Sequence, residues 1–300
     1  MEKRKLGNTD LTVSRLGMGL SELGSLALED VHTAGRILNE ALDNGIDFFD
    51  TAACYGNSEE LVGRTLAGRR NEFVLSTKAG HAGGDLAGPS WTAETVRASI
   101  DRSLKRLRTD RLDIVHLHSC GVEILARGDV IGALQDARQA GKIRYIGYSG
   151  DNEPARWAVD SGLFDTLQTS YNLVDQRAGE RLFPRAQELG LGIIAKRPIA
   201  NAAWGAPASP SGYAAEYHRR AQVMAGGDAL PGAPDDDILL ALGFTLDHEA
   251  VDTAIVGTTN PDHLKANISM VEEKLPLPRE TVMALYSRFD RLDANWAQQG

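Results

Sequence analysis

Asp50, Tyr55, Lys78 and His118 form a set of residue types suited to moving a proton onto a carbonyl oxygen. A tyrosine can protonate a developing alkoxide, but its ordinary pKa near 10 makes it a poor acid at neutral pH without a neighbouring cation. Lys78 is the candidate cation, and Asp50 could keep it charged and oriented. His118 could donate to the substrate oxygen or share its proton with Tyr55. A positioned acid of this kind contributes on the order of 10²–10⁴ in rate. The set lacks a carrier for electrons. Taken singly, each residue has an ordinary structural reading: Asp50 as a helix cap, Tyr55 as a loop packing residue, Lys78 as a barrel lysine, His118 as a core imidazole like His116.

What links the four is the elements that carry them. Phe48-Phe49-Asp50, Phe73–Thr77 and Asp113–His118 are apolar, β-branched runs, and each delivers one of these residues at or just beyond its C-terminal end. Tyr55 follows the first by five residues. In a parallel barrel such ends share one face. Along the chain, strands are predicted at Arg15–Met18, Asp47–Asp50, Phe73–Thr77, Ile114–His118, Ile143–Ser149, Thr166–Ser170, Leu191–Ala195 and Thr253–Val256. Helical periodicity occupies Val31–Asn44, Glu59–Leu66, Ala93–Leu107, Val122–Ala140, Pro154–Ser161, Ala178–Leu189, Asp235–Leu246 and Pro261–Val271. Gly45, Gly141 and Gly190 read as stops just past helix ends.

Eight βα units without a linker point to a single (β/α)8 TIM barrel domain over residues 1–300. A doubly wound sheet is the alternative, disfavoured because Gly17-Met-Gly19-Leu-Ser-Glu lacks the third glycine of a dinucleotide fingerprint. An N-terminal β-hairpin turning at Gly7-Asn8 precedes the barrel, and an extra C-terminal helix, Arg279–Asn295, follows it. The stretch at about 198–235 is too long for an ordinary connection and is expected to cover the barrel mouth.

The formal charge of −9 disfavours a nucleic-acid or membrane-surface role. The N-terminal residues lack a signal-like apolar stretch and no run reaches membrane-span length, so a cytoplasmic protein is expected, without membrane or nucleic-acid partners. Two cysteines, Cys54 and Cys120, exclude a disulfide framework. A redox-sensitive pair is conceivable, but two small buried thiols are the stronger reading.

Several segments together closely resemble the aldo-keto reductases: Lys3–Gly17, Phe49–Gly63, Ser76-Thr-Lys78, Leu112–His118, Gly141–Ser149, Gln168–Asn172 and Ile255–Pro261. The resemblance covers almost the whole chain. It implies a monomeric or weakly self-associating barrel that moves a hydride between a nicotinamide cofactor and a carbonyl or alcohol. Tyr55 is then the general acid, tuned by Lys78 and Asp50, with His118 orienting the carbonyl; no metal is called for.

By the same likeness, Ser149 and Gln168 hold the cofactor's carboxamide, Asn172 sits in the matching strand motif, and Gly19 and Asn267 join the cofactor set. Thr258, Thr259 and Asn260 precede Pro261 at a helix start, where free N–H groups and the helix dipole favour phosphate. The chain also departs from the pattern. Gly150 replaces an asparagine, Lys196 stands where many members stack an aromatic ring on the nicotinamide, and Gly257 and His263 replace basic residues against the adenosine 2′-phosphate. Trp204 is the candidate substitute ring. Lys196, Arg197 and Lys265 are the cations expected to compensate, with NADP(H) favoured over NAD(H) from family habit. Leu20, Trp91 and Trp204 are the candidate substrate contacts, leaving aldehydes, small ketones and sugars open. Two rival functions are a Schiff-base aldolase using Lys78 or Lys196 and a nicotinamide-binding regulatory barrel with little turnover.

Overall fold

The computed structural model describes residues 1–292 and 296–299. Ten strands are present among the described residues: β1 (Lys3–Lys5), β2 (Thr12–Ser14), β3 (Leu16–Gly19), β4 (Phe48–Asp50), β5 (Val74–Ala79), β6 (Leu112–His118), β7 (Ile143–Ser149), β8 (Thr166–Ser170), β9 (Gly192–Lys196) and β10 (Thr253–Gly257). β3 to β10 close into a parallel barrel in chain order, β10 pairing with β3, and helices connect them. This is the expected (β/α)8 barrel. Its strand residues are mostly buried, because each strand is covered on both faces.

β1 and β2 form the antiparallel hairpin. Leu6, Leu11 and Val13 from it pack with Phe48, Ile114 and Ile194 from inside the barrel, so the hairpin plugs the N-terminal end. A cavity opens at the opposite, C-terminal end of the strands. Gly7 adopts φ +53°, and a Cβ there would lie 2.2 Å from the Gly192 amide nitrogen, which only glycine permits.

Gly45, Gly141 and Gly190 all have positive φ just beyond helices, as their positions imply. Two predicted helices are interrupted. Val122–Ala140 divides into Val122–Arg127 and Asp129–Gln139 because Gly128 is left-handed, at φ +79°. Ala178–Leu189 divides into Arg177–Arg181 and Phe183–Glu188, where Pro184 cannot donate to the preceding turn. The extra C-terminal helix runs Arg279–Leu292; the remainder of its expected span, 293–295, lies outside the described residues. No described helix is long and apolar enough to cross a membrane.

Candidate active site

Strand register builds the site in layers. Asp50 pairs with Ser76, and Lys78 lies two residues further along β5, on the same inward face and one layer nearer the mouth. His118, Ser149 and Gln168 are partners across β6, β7 and β8, forming a single layer.

Lys78 Nζ donates to Asp50 Oδ2 at 2.5 Å and to the Thr51 carbonyl at 2.8 Å. Asp50 Oδ1 accepts from Ser76 Oγ at 2.8 Å. The Lys78 ammonium lies 4.9 Å from the Tyr55 ring centroid, and the Tyr55 and His118 rings meet edge to face at 5.7 Å. The four residues singled out from sequence are thus brought together. Burial alone would lower the Lys78 pKa, but Asp50 and Tyr55 outweigh it and the net shift is upward. Burial likewise raises the Tyr55 phenol, with Lys78 pulling the other way and losing. The phenol is therefore held protonated. Burial, followed by the charges of Lys78, His81 and Lys196 and by His116, pushes His118 down to about 2. A neutral imidazole donates through one nitrogen only, so a proton shared from a charged His118 is not available at neutral pH. Its Nδ1 faces Cys54 Sγ at 3.4 Å. His116, one layer deeper, is enclosed by Ser76 Oγ at 3.2 Å and Thr166 Oγ1 at 3.1 Å.

A cavity of about 750 Å³ opens over this cluster. Of the residues singled out, Gly19, Leu20, Asp50, Tyr55, His118, Ser149, Gln168, Lys196, Arg197 and Gly257 line it. Pro198, Ile199, Asn201, Ala202, Pro210, Ser211 and Tyr213, from the long segment after β9, form part of its wall.

Ser149 Oγ donates to Gln168 Oε1 at 2.8 Å. That bond turns the Gln168 amide nitrogen away, and it has no hydrogen-bond partner among the described residues although fully buried. A buried donor without a partner costs about 1–3 kcal/mol. A ligand carboxamide oxygen is the kind of acceptor that would satisfy it, so the residues present fit a nicotinamide.

Other expected contacts lie elsewhere. Asn172 is buried, its amide donating to the Arg197 carbonyl at 3.0 Å and its Oδ1 accepting from Val174 N at 3.0 Å, so it braces the backbone. Asn260 caps the helix Pro261–Glu273 by accepting from Asp262 N at 2.9 Å, and Thr258 Oγ1 accepts from Asn260 N at 3.0 Å. Thr258, Thr259, Asn260, His263 and Asn267 follow β10, in the turn and the helix Pro261–Glu273, and do not line the cavity. Trp204 is 8% exposed in the core and does not line the cavity, which removes it as a substitute ring. Trp91 lies outside the cavity wall too, over Gly80 and edge to face with His81 at 4.7 Å. Cys120 is buried, but Cys54 is exposed, correcting the reading of two buried thiols. Gly150 has a local cause: a Cβ there would lie 2.6 Å from the Tyr148 hydroxyl, which donates to the Cys120 carbonyl at 2.7 Å.

Four further contacts complete the site. Tyr213 stands at the mouth with the Arg197 guanidinium 4.6 Å from its ring centroid. His81 contacts the His118 ring at 5.1 Å. Glu22 lines the cavity, and its Oε2 would lie 2.0 Å from a Cβ on Gly257. Asp151 pairs with Lys196 at 2.8 Å. Burial lowers Lys196 while Lys196 holds Asp151 below the usual carboxylate range against its own burial. Of these residues, Asp151 is the one the sequence did not mark; Glu22, His81 and Tyr213 stand in loops after strand ends, where a specificity surface is expected.

The model of the aldo/keto reductase family matches residues 15–222. The chain is 31% identical over 300 residues to L-galactose dehydrogenase of Arabidopsis thaliana, covering 94% of this chain and 92% of that protein. It is 29% identical to the NADH-specific methylglyoxal reductase of Escherichia coli over 66% of this chain and 68% of that one. Among solved structures, the holo form of aldo-keto reductase AKR11C1 from Bacillus halodurans is 30% identical, with a TM-score of 0.81 over 96% of each chain. On this match and this fold, the chain belongs to the aldo/keto reductase family.

Proposed function

We propose that this oxidoreductase interconverts a carbonyl and an alcohol with a nicotinamide cofactor, Tyr55 exchanging the proton with the substrate oxygen. The observation that carries this reading is the Tyr55 ring standing 4.9 Å from the ammonium of the buried Lys78–Asp50 pair, beside the cavity. The cofactor, when bound, supplies or accepts the hydride. Tyr55 donates its proton to the carbonyl oxygen, and the Lys78 cation stabilises the phenolate left behind. Asp50 and the Thr51 carbonyl keep Lys78 charged and aimed. Neutral His118, its Nδ1 turned toward Cys54, presents Nε2 to the same oxygen. Ser149 and Gln168 would hold the carboxamide. The aldolase reading needs a neutral lysine amine, whereas Lys78 and Lys196 are each ion-paired.

Between the two cofactors, the site supports NAD(H) better than the NADP(H) expected from family habit. Lys196 is engaged by Asp151, Arg197 by Ser170 and the Gln299 carbonyl, and Lys265 pairs with Glu40 at 3.1 Å. The Glu22 carboxylate adds negative charge at Gly257, where the resemblance places recognition of the 2′-phosphate. One similar protein is NADH-specific by name. The substrate we propose is a small oxygen-rich carbonyl or its alcohol, the class that L-galactose and methylglyoxal share. Consumption of NADH and NADPH with a panel of sugars and small aldehydes, wild type beside Tyr55→Phe, tests the reading. Wild-type turnover that survives in Tyr55→Phe would defeat it.

A further inference from the structure

Lys196 ends β9, and its side chain is 14% exposed at the cavity wall. Its partner Asp151 is 1% exposed and lies behind the wall. Asp151 Oδ1 accepts from Thr169 Oγ1 at 2.9 Å, Ser170 N at 2.7 Å and Gln298 Nε2 at 3.4 Å, which leaves Oδ2 facing the ammonium. Gln298 also donates to Thr169 Oγ1 at 3.1 Å and to the Ser170 carbonyl at 2.9 Å, so the carboxylate is fixed from the side away from the cavity. The pair is therefore a held dipole with its positive end toward the cavity. The proton path through Tyr55, Lys78 and Asp50 does not use it. Lys196 pairs in register with Ser170, two residues beyond Gln168 on the same face of β8, so it stands one layer above the unpartnered Gln168 amide. Its charge also reaches His118, which it helps to keep neutral.

We propose that the Lys196–Asp151 pair sets the redox-state preference of the cofactor site, binding reduced nicotinamide in preference to oxidised. This rests on the nicotinamide reading above. The oxidised ring carries a positive charge and the reduced ring carries none. A positive dipole end above the carboxamide-binding layer therefore opposes the oxidised form and leaves the reduced form almost unaffected. Beside the buried wall of the cavity, where the effective dielectric is lower than that of bulk water, that discrimination is several times what bulk water would allow. A protein that binds two states of a ligand unequally shifts the equilibrium between them by the ratio of the affinities. Bound cofactor is then held toward its reduced form relative to cofactor in solution.

The test compares dissociation constants for NAD⁺ and NADH, measured by calorimetry on wild type, Lys196→Met, Lys196→Arg and the double variant Asp151→Asn with Lys196→Met. The readout is the ratio of the two constants. Lys196→Met is expected to move it about tenfold toward the oxidised form, a usual size for a coupling between charges. Lys196→Arg should keep the wild-type ratio. The double variant leaves no lone buried charge, so it carries the test should the single variant fail to fold, and its ratio should move in the same direction. Unchanged ratios in Lys196→Met and in the double variant would overturn the inference while leaving the nicotinamide reading intact. Binding of neither form by the wild type would overturn both.

Discussion

Replacing Lys78 with methionine would strip the cation from a pair whose side chains are 2% and 3% exposed. Asp50 would keep the hydrogen bond from Ser76 but face an apolar chain where Lys78 had donated at 2.5 Å. Removing one member of a buried ion pair leaves an uncompensated charge and costs about 3–5 kcal/mol. In a chain of this size each kcal/mol moves Tm by about 2 °C, so a fall of about 6–10 °C is expected. Combining Lys78→Met with Asp50→Asn removes both charges, and replacing a whole buried pair by uncharged groups is often close to neutral. The double variant should therefore recover most of the lost stability. Both variants should lose turnover, since neither can stabilise the Tyr55 phenolate. Urea unfolding followed by tryptophan fluorescence, beside thermal melting by circular dichroism, separates the cases. A Lys78→Met protein as stable as wild type would refute the coupling of the two charges. A double variant as unstable as the single one would show that the loss comes from packing instead.

Tyr55→Phe removes only the proton donor, so kcat should fall by about 10²–10⁴ while NADH affinity, measured by fluorescence quenching, stays nearly unchanged. His116 and His118 are held down to about 3 and 2, burial being the first cause for both. Because burial disfavours the charged ring, neither should take up a proton as pH falls from 8 to 5; titration of either in ring-proton NMR spectra would contradict this. Glu22→Gln removes the exposed carboxylate beside Gly257. It should tighten NADPH relative to NADH by a few-fold, an effect that shrinks in high salt as surface charges are screened; equal affinity ratios before and after would count against the proposed cofactor preference.

Much of the site was legible without coordinates. Barrel strands are covered on both faces, so a charged or titratable residue at a C-terminal strand end stands out, which is how Asp50, Lys78 and His118 declared themselves. Gly45, Gly141 and Gly190 were readable because a left-handed residue after a helix has a strong composition signature. Barrel closure decided the rest, by setting which strand ends share a layer. Spacing along the chain says nothing of the His118–Ser149–Gln168 layer or of the unpartnered amide it contains. Asn172 shows the converse: a residue in the right motif turns its amide to its own backbone once the chain folds. Trp204 lay in the right loop but was drawn into the core, while the more polar Tyr213 remained at the mouth. Gln298 meets Asp151 from 147 positions away, and Glu22 meets Gly257 from the opposite end of the barrel sequence. By itself, the sequence determined which groups are present for proton transfer and that they would share one face. Only the tertiary structure decided their charge states, because burial and neighbouring charge, which protonate Tyr55 and neutralise His118, exist only once distant strands have closed around them.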